Sequence, residues 1–327
     1  MAVTTPLIIN VHRRRYAFGR AFTLGKLTRT HVDAIEVTLT RGGRTGRGEC
    51  VPNPRYGESP DSVVNQITQL PLDFDRKSLP ALLRPGPARN AVDCALWDLE
   101  AKQKGVRVWQ LAGLNQPRPL ETVVTLSIDD PVKLAEDARK FRNHRVMKFR
   151  AASAEDIRLI PVVRQAAPHV KIILDAGESW TVDDYVRLAP RLAREGVVLI
   201  EQPLPSIQDR ALAEIKHPIP ICADESCHDL GTLPRLQGRY DMINIKLDKT
   251  GGLTHALALR DAAHQIGIKT MIGSMISSSL AMAPAVLAAQ DSTYVDLDGP
   301  LLLAEDRPHG LTYDGSWVHP PKAELWG

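Results

Sequence analysis

The 327-residue sequence predicts an α/β fold, a TIM-like (β/α)7β barrel carrying an N-terminal α+β capping domain. Three observations predict it. Val197-Val198-Leu199-Ile200 is followed at once by Glu201-Gln202-Pro203, the pattern of a parallel strand buried on both faces and ending in a carboxylate. Ile172-Ile173-Leu174-Asp175 lies about 26 residues before it and Ile221-Cys222-Ala223-Asp224-Glu225 about 23 after it, close to one strand–helix unit each. The length also exceeds one ordinary domain and suits a barrel with a smaller partner.

Residues 1–118 lack that rhythm and read as the α+β cap. Leu7–Val11 and the alternating Ala34–Leu39 are expected antiparallel strands, Arg41-Gly42-Gly43-Arg44 a turn, and 46–51 the return strand. The Pro/Gly-rich VPNPRYGESP leads to a helix from Asp61. Ala91, Cys94, Ala95, Leu96 and Leu99 recur at helical spacing within Asn90–Gln103. Residues 18–26, with glycines near both ends, are expected to form a loop, either an exposed hairpin or a lid over a neighbouring site.

The barrel is expected over 119–300. Strands are predicted at 122–128, 145–151, 171–177, 197–203, 220–226, 242–248, 269–275 and 294–299. Helices are predicted at 131–143, 153–167, 181–195, 206–216, 229–237, 252–266 and 279–289. Asp129 or Asp130 before Pro131, then Ser153 and Thr181, suit helix starts. No helix follows the eighth strand, which leaves 301–327 to return to the cap.

Composition excludes several classes. A net charge of +3 is too small to suggest nucleic-acid or membrane binding. No apolar run reaches the roughly 20 residues of a bilayer span, and basic residues follow the apolar ones at the N-terminus, the reverse of a signal peptide. Cys50, Cys94, Cys222 and Cys227 show no Cys-x-x-Cys spacing and read as reduced core thiols of a cytoplasmic protein, ahead of disulfides or a thiolate metal site.

If the barrel forms, its C-terminal face gathers Lys148, Arg150, Asp175, Glu201, Asp224, Lys246, Asp296 and Asp298. Residues two apart share a strand face, so Lys148 and Arg150 point one way, as do Asp296 and Asp298. Asp175, Glu201 and Asp224 on consecutive strand ends make a hard-oxygen set suited to Mg²⁺, or else acids salt-bridged at a rim. Cations on either flank suggest proton abstraction beside a carboxylate. An ammonium near Mg²⁺ has its pKa lowered, which would make Lys246 a base.

These residues closely resemble the enolase superfamily, muconate-lactonising subgroup, and within it the dipeptide epimerases and N-acyl amino-acid racemases. The resemblance rests on Asp93–Leu99, LDAGESW, IEQPLP, ADES, INIKLDKTGG and MIGSM. ECVPNPRYGES is similar to an N-acetyl-D-glutamate racemase branch. The resemblance implies Mg²⁺ on Asp175, Glu201 and Asp224, and Lys246 as one acid/base. It also implies that Asp296 and Asp298 hold a substrate ammonium group; by residue chemistry alone they suit a turn cap equally. A homo-oligomer is expected by analogy.

Two positions depart from the family pattern. Lys148-Phe149-Arg150 replaces Lys-x-Lys, whose second lysine is the other acid/base, and arginine is a poor proton acceptor. Gly177 stands where asparagine is usual. The expected function is epimerisation or racemisation at the carbon next to the carboxylate of a dipeptide or N-acyl amino acid, N-acetyl-glutamate among them, through an enediolate. The alternatives are a dehydratase or cycloisomerase using Lys246 alone, and a relative that binds metal and ligand without catalysis. Arg20 and Lys26, with Arg29, are candidate contacts for an acidic substrate side chain.

Overall fold

The computed structural model describes residues 6–24, 27–127 and 130–327. The cap opens with a long antiparallel hairpin, β1 (Ile8–Leu24) and β2 (Leu27–Arg41), to which β3 (Arg44–Cys50) adds through the expected Gly42-Gly43 turn. Residues 18–24 continue β1 rather than forming a loop. Pairing runs to Ala17↔His31 and resumes at Phe22↔Arg29, so an irregularity absorbs the break in alternation that made this stretch read as a loop. The expected tip at Lys26 lies outside the described residues.

The helix Pro60–Thr68 starts on a capping box made by Ser59 and Ser62. The helix Pro87–Lys104 packs directly on β3. A Cβ on Gly46 or Gly48 would lie 2.1 Å from the carbonyl oxygen of Ala95 or Ala91, so only glycine admits this approach. Val37, Leu39, Val63, Ile67, Ala91 and Leu96 fill the cap's own core.

Eight parallel strands follow: Val124–Leu126, Val146–Arg150, Lys171–Asp175, Val197–Glu201, Ile221–Ala223, Met242–Lys246, Lys269–Gly273 and Tyr294–Asp296. They pair in sequence order. The first and eighth meet across a seam where Val123 N donates to Val295 O (2.8 Å), Leu297 N to Thr122 Oγ1 (3.0 Å) and Thr125 N to Asp298 Oδ2 (2.6 Å). All eight predicted strands are present, each trimmed at its C-terminal end and three at the N-terminal end as well.

The helices are less uniform. Pro131–Lys140, Val182–Arg194, Leu253–Gln265 and Ser279–Ala288 match expectation, the first capped by Asp130 through Val132 N and Lys133 N. The predicted 153–167 helix begins as a 3₁₀ segment, Ala154–Leu159, then turns α-helical over Ile160–Ala166. Two predicted helices shrink: 206–216 to a 3₁₀ segment, Asp209–Glu214, and 229–237 to one turn, Leu233–Leu236. Pro203, Pro205, Pro218 and Pro220 crowd the first segment, and Gly231 and Pro234 interrupt the second. Among the described residues no helix is long and apolar enough to cross a membrane, and all four cysteines are buried and free.

Side-chain parity sets out the barrel interior. Val146, Ile173, Leu199, Cys222, Met242 and Met271 form an apolar floor. Residues one position along, such as Met147, Phe149, Leu174 and Ile200, face the helices. Two residues beyond the floor the inward positions become polar: Lys148, Asp175, Glu201, Asp224 and Asn244. The period of two lifts the charged layer above the dry one.

The last residues run back to the cap. Trp317–Val318 pairs with Leu120–Glu121, Trp326 Nε1 donates to Cys94 O (3.1 Å), and Gly327 N donates to Asp98 Oδ1 (2.8 Å). The cap sits on the barrel through buried polar contacts. Asp248 accepts Asn90 Nδ2 (2.8 Å) and Val51 N (3.2 Å), and Asp93 accepts Thr254 Oγ1 (2.6 Å) and Thr254 N (3.0 Å). Burial pushes the Asp248 pKa up to about 7, against the opposing pull of its two donors. Its folded pKa therefore exceeds the unfolded one, so its stabilising contribution is complete below about pH 4 and is lost as pH rises through about 7. Asp248→Asn is expected to remove that one-proton component from the pH dependence of urea-unfolding free energy. An unchanged slope between pH 4 and 7 would count against it.

Candidate active site

The barrel mouth opens into a cavity of about 290 Å³ walled on one side by the cap and on the other by strand ends. Lys148, Arg150, Asp175, Asp224, Lys246, Asp296 and Asp298 all line it. Glu201 sits just beneath, fully buried. Apart from Arg20 and Lys26, the predicted site residues are thus brought together.

The acids and bases are interlocked. Lys148 Nζ donates to Asp296 Oδ2 at 2.7 Å and lies 2.9 Å from Glu201 Oε2 and 3.4 Å from Asp175 Oδ2. Arg150 Nη1 donates to Asp175 Oδ2 (2.9 Å). Lys246 Nζ donates to Asp224 Oδ2 (2.7 Å) and Lys249 Nζ to Asp224 Oδ1 (2.6 Å). Among the described residues no three His, Cys, Asp or Glu side chains converge as a ready-made metal cage, because the ammonium groups draw the acids onto themselves.

The pKa directions follow. Burial pulls the Lys148 ammonium down, but Asp296, Glu201 and Asp175 outweigh it and hold it well above its ordinary value. Burial likewise lowers Lys246, and Asp224, joined by Glu201 and Glu225, more than reverses this. Lys246 is therefore held protonated, opposite to the direction expected beside a cation, since a carboxylate is its partner here. Burial disfavours the Asp224 carboxylate, yet Lys246 and Lys249 bring it far below the usual range. Glu201 is pushed up to about 7, first by burial and then by Asp175 and Asp224, with Lys148 opposing. Asp298 also rises to about 7, by burial and its neighbour Asp296.

The donor set suits a hard divalent cation. Among the described residues, Asp175 Oδ1 and Glu225 Oε2 are buried with no hydrogen-bond partner, and Glu201 Oε2 has only the ion pair with Lys148. Buried carboxylate oxygens without donors are costly unless a cation or water meets them. Carboxylate oxygens are among the hard ligands that Mg²⁺ takes.

Several residues were not identified from sequence. Asn244 Nδ2 donates to Glu201 Oε1 (2.6 Å) and orients it. Lys249, fully inside, also donates to Asp224 O (2.5 Å) and Asn244 O (3.1 Å). Glu225 lines the cavity, its carboxyl raised to about 8 by burial and then by Asp224 and Asp175. Asn244 was legible by parity, two residues before Lys246. Lys249 lies past the strand end, where parity says nothing.

From the cap, Val51 to Tyr56 supply one wall. Arg55 makes a two-bond clamp on Glu178 (2.8 and 3.0 Å), and Tyr56 stacks edge-on with His228 at 4.7 Å between ring centres. Arg20 is a correction. Its guanidinium donates to Asp137 Oδ2 (2.5 Å) on the helix Pro131–Lys140, which anchors the hairpin to the barrel instead of facing the cavity. Arg29 does line the cavity. Lys26 lies outside the described residues.

Residues 14–113 match the mandelate racemase / muconate lactonizing enzyme N-terminal domain, and 131–324 match the enolase C-terminal domain-like family. The chain belongs to the enolase superfamily. It is 44% identical to an N-acetyl-D-glutamate racemase of Pseudoalteromonas sp over 86% of this chain and 91% of that one. It is 38% identical to the L-Ala-D/L-Glu epimerase of Escherichia coli (strain K12), over 95% and 99%. An enolase family member from Agrobacterium tumefaciens with homology to dipeptide epimerases, solved with bound sodium and L-Ala-L-Glu, superposes with a TM-score of 0.96 at 46% identity, covering 98% and 100%. A dipeptide epimerase from Methylococcus capsulatus complexed with Mg and L-Arg-D-Lys gives 0.90 at 25%, over 97% and 98%.

One consequence concerns Lys249. Removing it leaves Asp224 half paired in a buried site, so Lys249→Met is expected to cost about 3–5 kcal/mol of unfolding free energy by urea titration. A loss within about 0.5 kcal/mol, the range of surface changes, would show that the contact carries little.

Proposed function

We propose that this enolase-superfamily chain is an isomerase, a Mg²⁺-dependent epimerase or racemase of a dipeptide or N-acyl amino acid such as N-acetyl-glutamate. One observation carries the reading. Cations on the second and sixth barrel strands, Lys148 with Arg150 and Lys246, flank three acids at the ends of the strands between them, Asp175 and Asp224 lining one cavity and Glu201 just beneath it. Relatives along nearly the whole chain are racemases and epimerases.

Asp175, Glu201 and Asp224 would hold the ion. When bound, Mg²⁺ would supply positive charge against the second negative charge that develops on a substrate carboxylate as its neighbouring carbon loses a proton. With Asp224 engaged by the ion, Lys246 would exchange the proton on one face of that carbon; inversion would need the other face to be served from the Lys148–Arg150 side, where Lys148 would keep positive charge beside the carboxylate. Asp296 and Asp298, on the eighth strand side of the cavity, would receive the ammonium or amide N–H of the substrate's N-terminal part. Four buried, reduced thiols support a cytoplasmic setting.

A second reading is favoured by Arg150. Asp175 raises its pKa further, with burial opposing, so this face lacks a ready proton acceptor. Inversion needs an acid/base on each face, whereas a dehydration or cycloisomerisation uses Lys246 alone.

Incubating the protein in D₂O with Mg²⁺ and L- and D-dipeptides and N-acetyl amino acids, with the α-proton followed by NMR, separates the two. Exchange with inversion supports the epimerase. Exchange of one enantiomer without inversion supports single-base chemistry, and no exchange across a broad panel counts against both. Lys246→Ala is expected to lower exchange about 10²–10⁴-fold, and retained exchange would sink the mechanism. Arg150→Lys is expected to raise the ratio of inversion to exchange. An unchanged ratio would mean this position no longer handles protons.

A further inference from the structure

We propose that Gly177 and Arg150 are one feature: the side chain missing at 177 is the berth of the Arg150 guanidinium, which it holds on the cavity wall as a fixed donor for the substrate's anionic group. A Cβ on Gly177 would lie 2.8 Å from Arg150 Nη2 and 3.3 Å from its Cζ. No side chain fits there while the guanidinium keeps its place.

The backbone at this point cannot yield instead. Gly177 has φ +49 and Glu178 φ +66, two successive residues in the left-handed region. Around them Ala176 N donates to Glu201 O (2.9 Å) and Glu178 N to Gln202 O (2.8 Å). The Glu178 carboxylate is fixed in turn by Arg55 and by Ser206 N (2.8 Å). A side chain at 177 would therefore displace the guanidinium, the far end of a flexible chain, from its place beside Asp175.

What the berth secures is a set of donors. The guanidinium has five N–H groups in a planar fork. Among the described residues its hydrogen bond goes to Asp175, with Glu225 Oε1 4.0 Å away, and its side chain lines the cavity a quarter exposed. Those remaining N–H groups suit a carboxylate oxygen, which a guanidinium grips better than a lysine does. Anchoring a substrate is a role for this side chain that needs no proton exchange. The anionic substrate rests on the N-acyl amino-acid or dipeptide reading; the steric coupling of the two residues does not.

A double-mutant cycle tests it, with wild type, Gly177→Asn, Arg150→Met and the double variant compared by melting temperature and by calorimetric binding of N-acetyl-L-glutamate and L-Ala-L-Glu with Mg²⁺. Asparagine is chosen because it tolerates the left-handed region best after glycine. Gly177→Ala, which adds only the Cβ, stands in if the asparagine variant does not fold. Each single change is expected to weaken binding at least about ten-fold, the effect of losing one hydrogen bond to a charged group. The double variant should bind no worse than Arg150→Met. Gly177→Asn should also lower the melting temperature more when Arg150 is present than when it is combined with Arg150→Met. Additive melting shifts would overturn the berth. Coupled shifts with undiminished binding by Arg150→Met would overturn the donor role. If wild type binds neither probe, the substrate reading and the donor role both fail, while the melting cycle still decides the berth.

Discussion

Mutual neutralisation of buried charge at the barrel mouth is the constraint on which the remaining structure depends. Lys148, Arg150, Lys246 and Lys249 are set among Asp175, Glu201, Asp224 and Asp296, nearly all of them out of water. Any one of these charges alone would be expensive to bury, several kcal/mol even after relaxation. Together they are tolerable, and the low dielectric that makes each costly also strengthens every pairing. The apolar floor below and the cap above create that medium. Fold and site are thus two aspects of one arrangement.

Much of this was legible because a parallel barrel imposes simple rules on its sequence. Each buried strand announces itself as an apolar run, and the residue that ends the run stands at the mouth. Asp175, Glu201, Asp224 and Lys246 could be placed from that rule alone. Local rules also found the Gly42-Gly43 turn and the Asp130 cap. What escaped depends on tertiary partners. Lys249 serves Asp224 from beyond the strand end, and Arg20 is claimed by Asp137 from 117 residues away. The hairpin persists through 18–24 because its pairing shifts register, an adjustment that alternation cannot reveal. The two shortened helices show proline and glycine outweighing an otherwise apolar pattern.

The cap is bound to the barrel by more than apolar contact. Glu49 of β3 is wholly buried and accepts Ser277 Oγ (2.6 Å), Ser278 Oγ (2.7 Å) and Ser278 N (3.1 Å), all from the segment after the seventh barrel strand, and Tyr16 OH (2.9 Å) from β1. That segment also carries Met275 and Ile276 to the cavity wall. Arg55 on Glu178, just past the third barrel strand, repeats the pattern, and Arg20 reaches Asp137 on the helix Pro131–Lys140. Cap side chains therefore hold barrel loops in position, and the cavity's shape is a property of both layers.

The seam between the first and eighth strands carries a consequence for anyone redesigning this protein. Asp298 has two duties: it faces the cavity, and its Oδ2 takes Thr125 N where the cylinder closes. Asp296, one turn of the pleat earlier, is tied to Lys148 and bears on charge rather than closure. A library that randomises both acids to change ligand preference would sample two unlike risks. Replacements at 298 threaten the integrity of the cylinder, while replacements at 296 cost the Lys148 ammonium the nearest of its three carboxylate partners. Selecting first at 296, with a compensating change at 148, keeps closure out of the search.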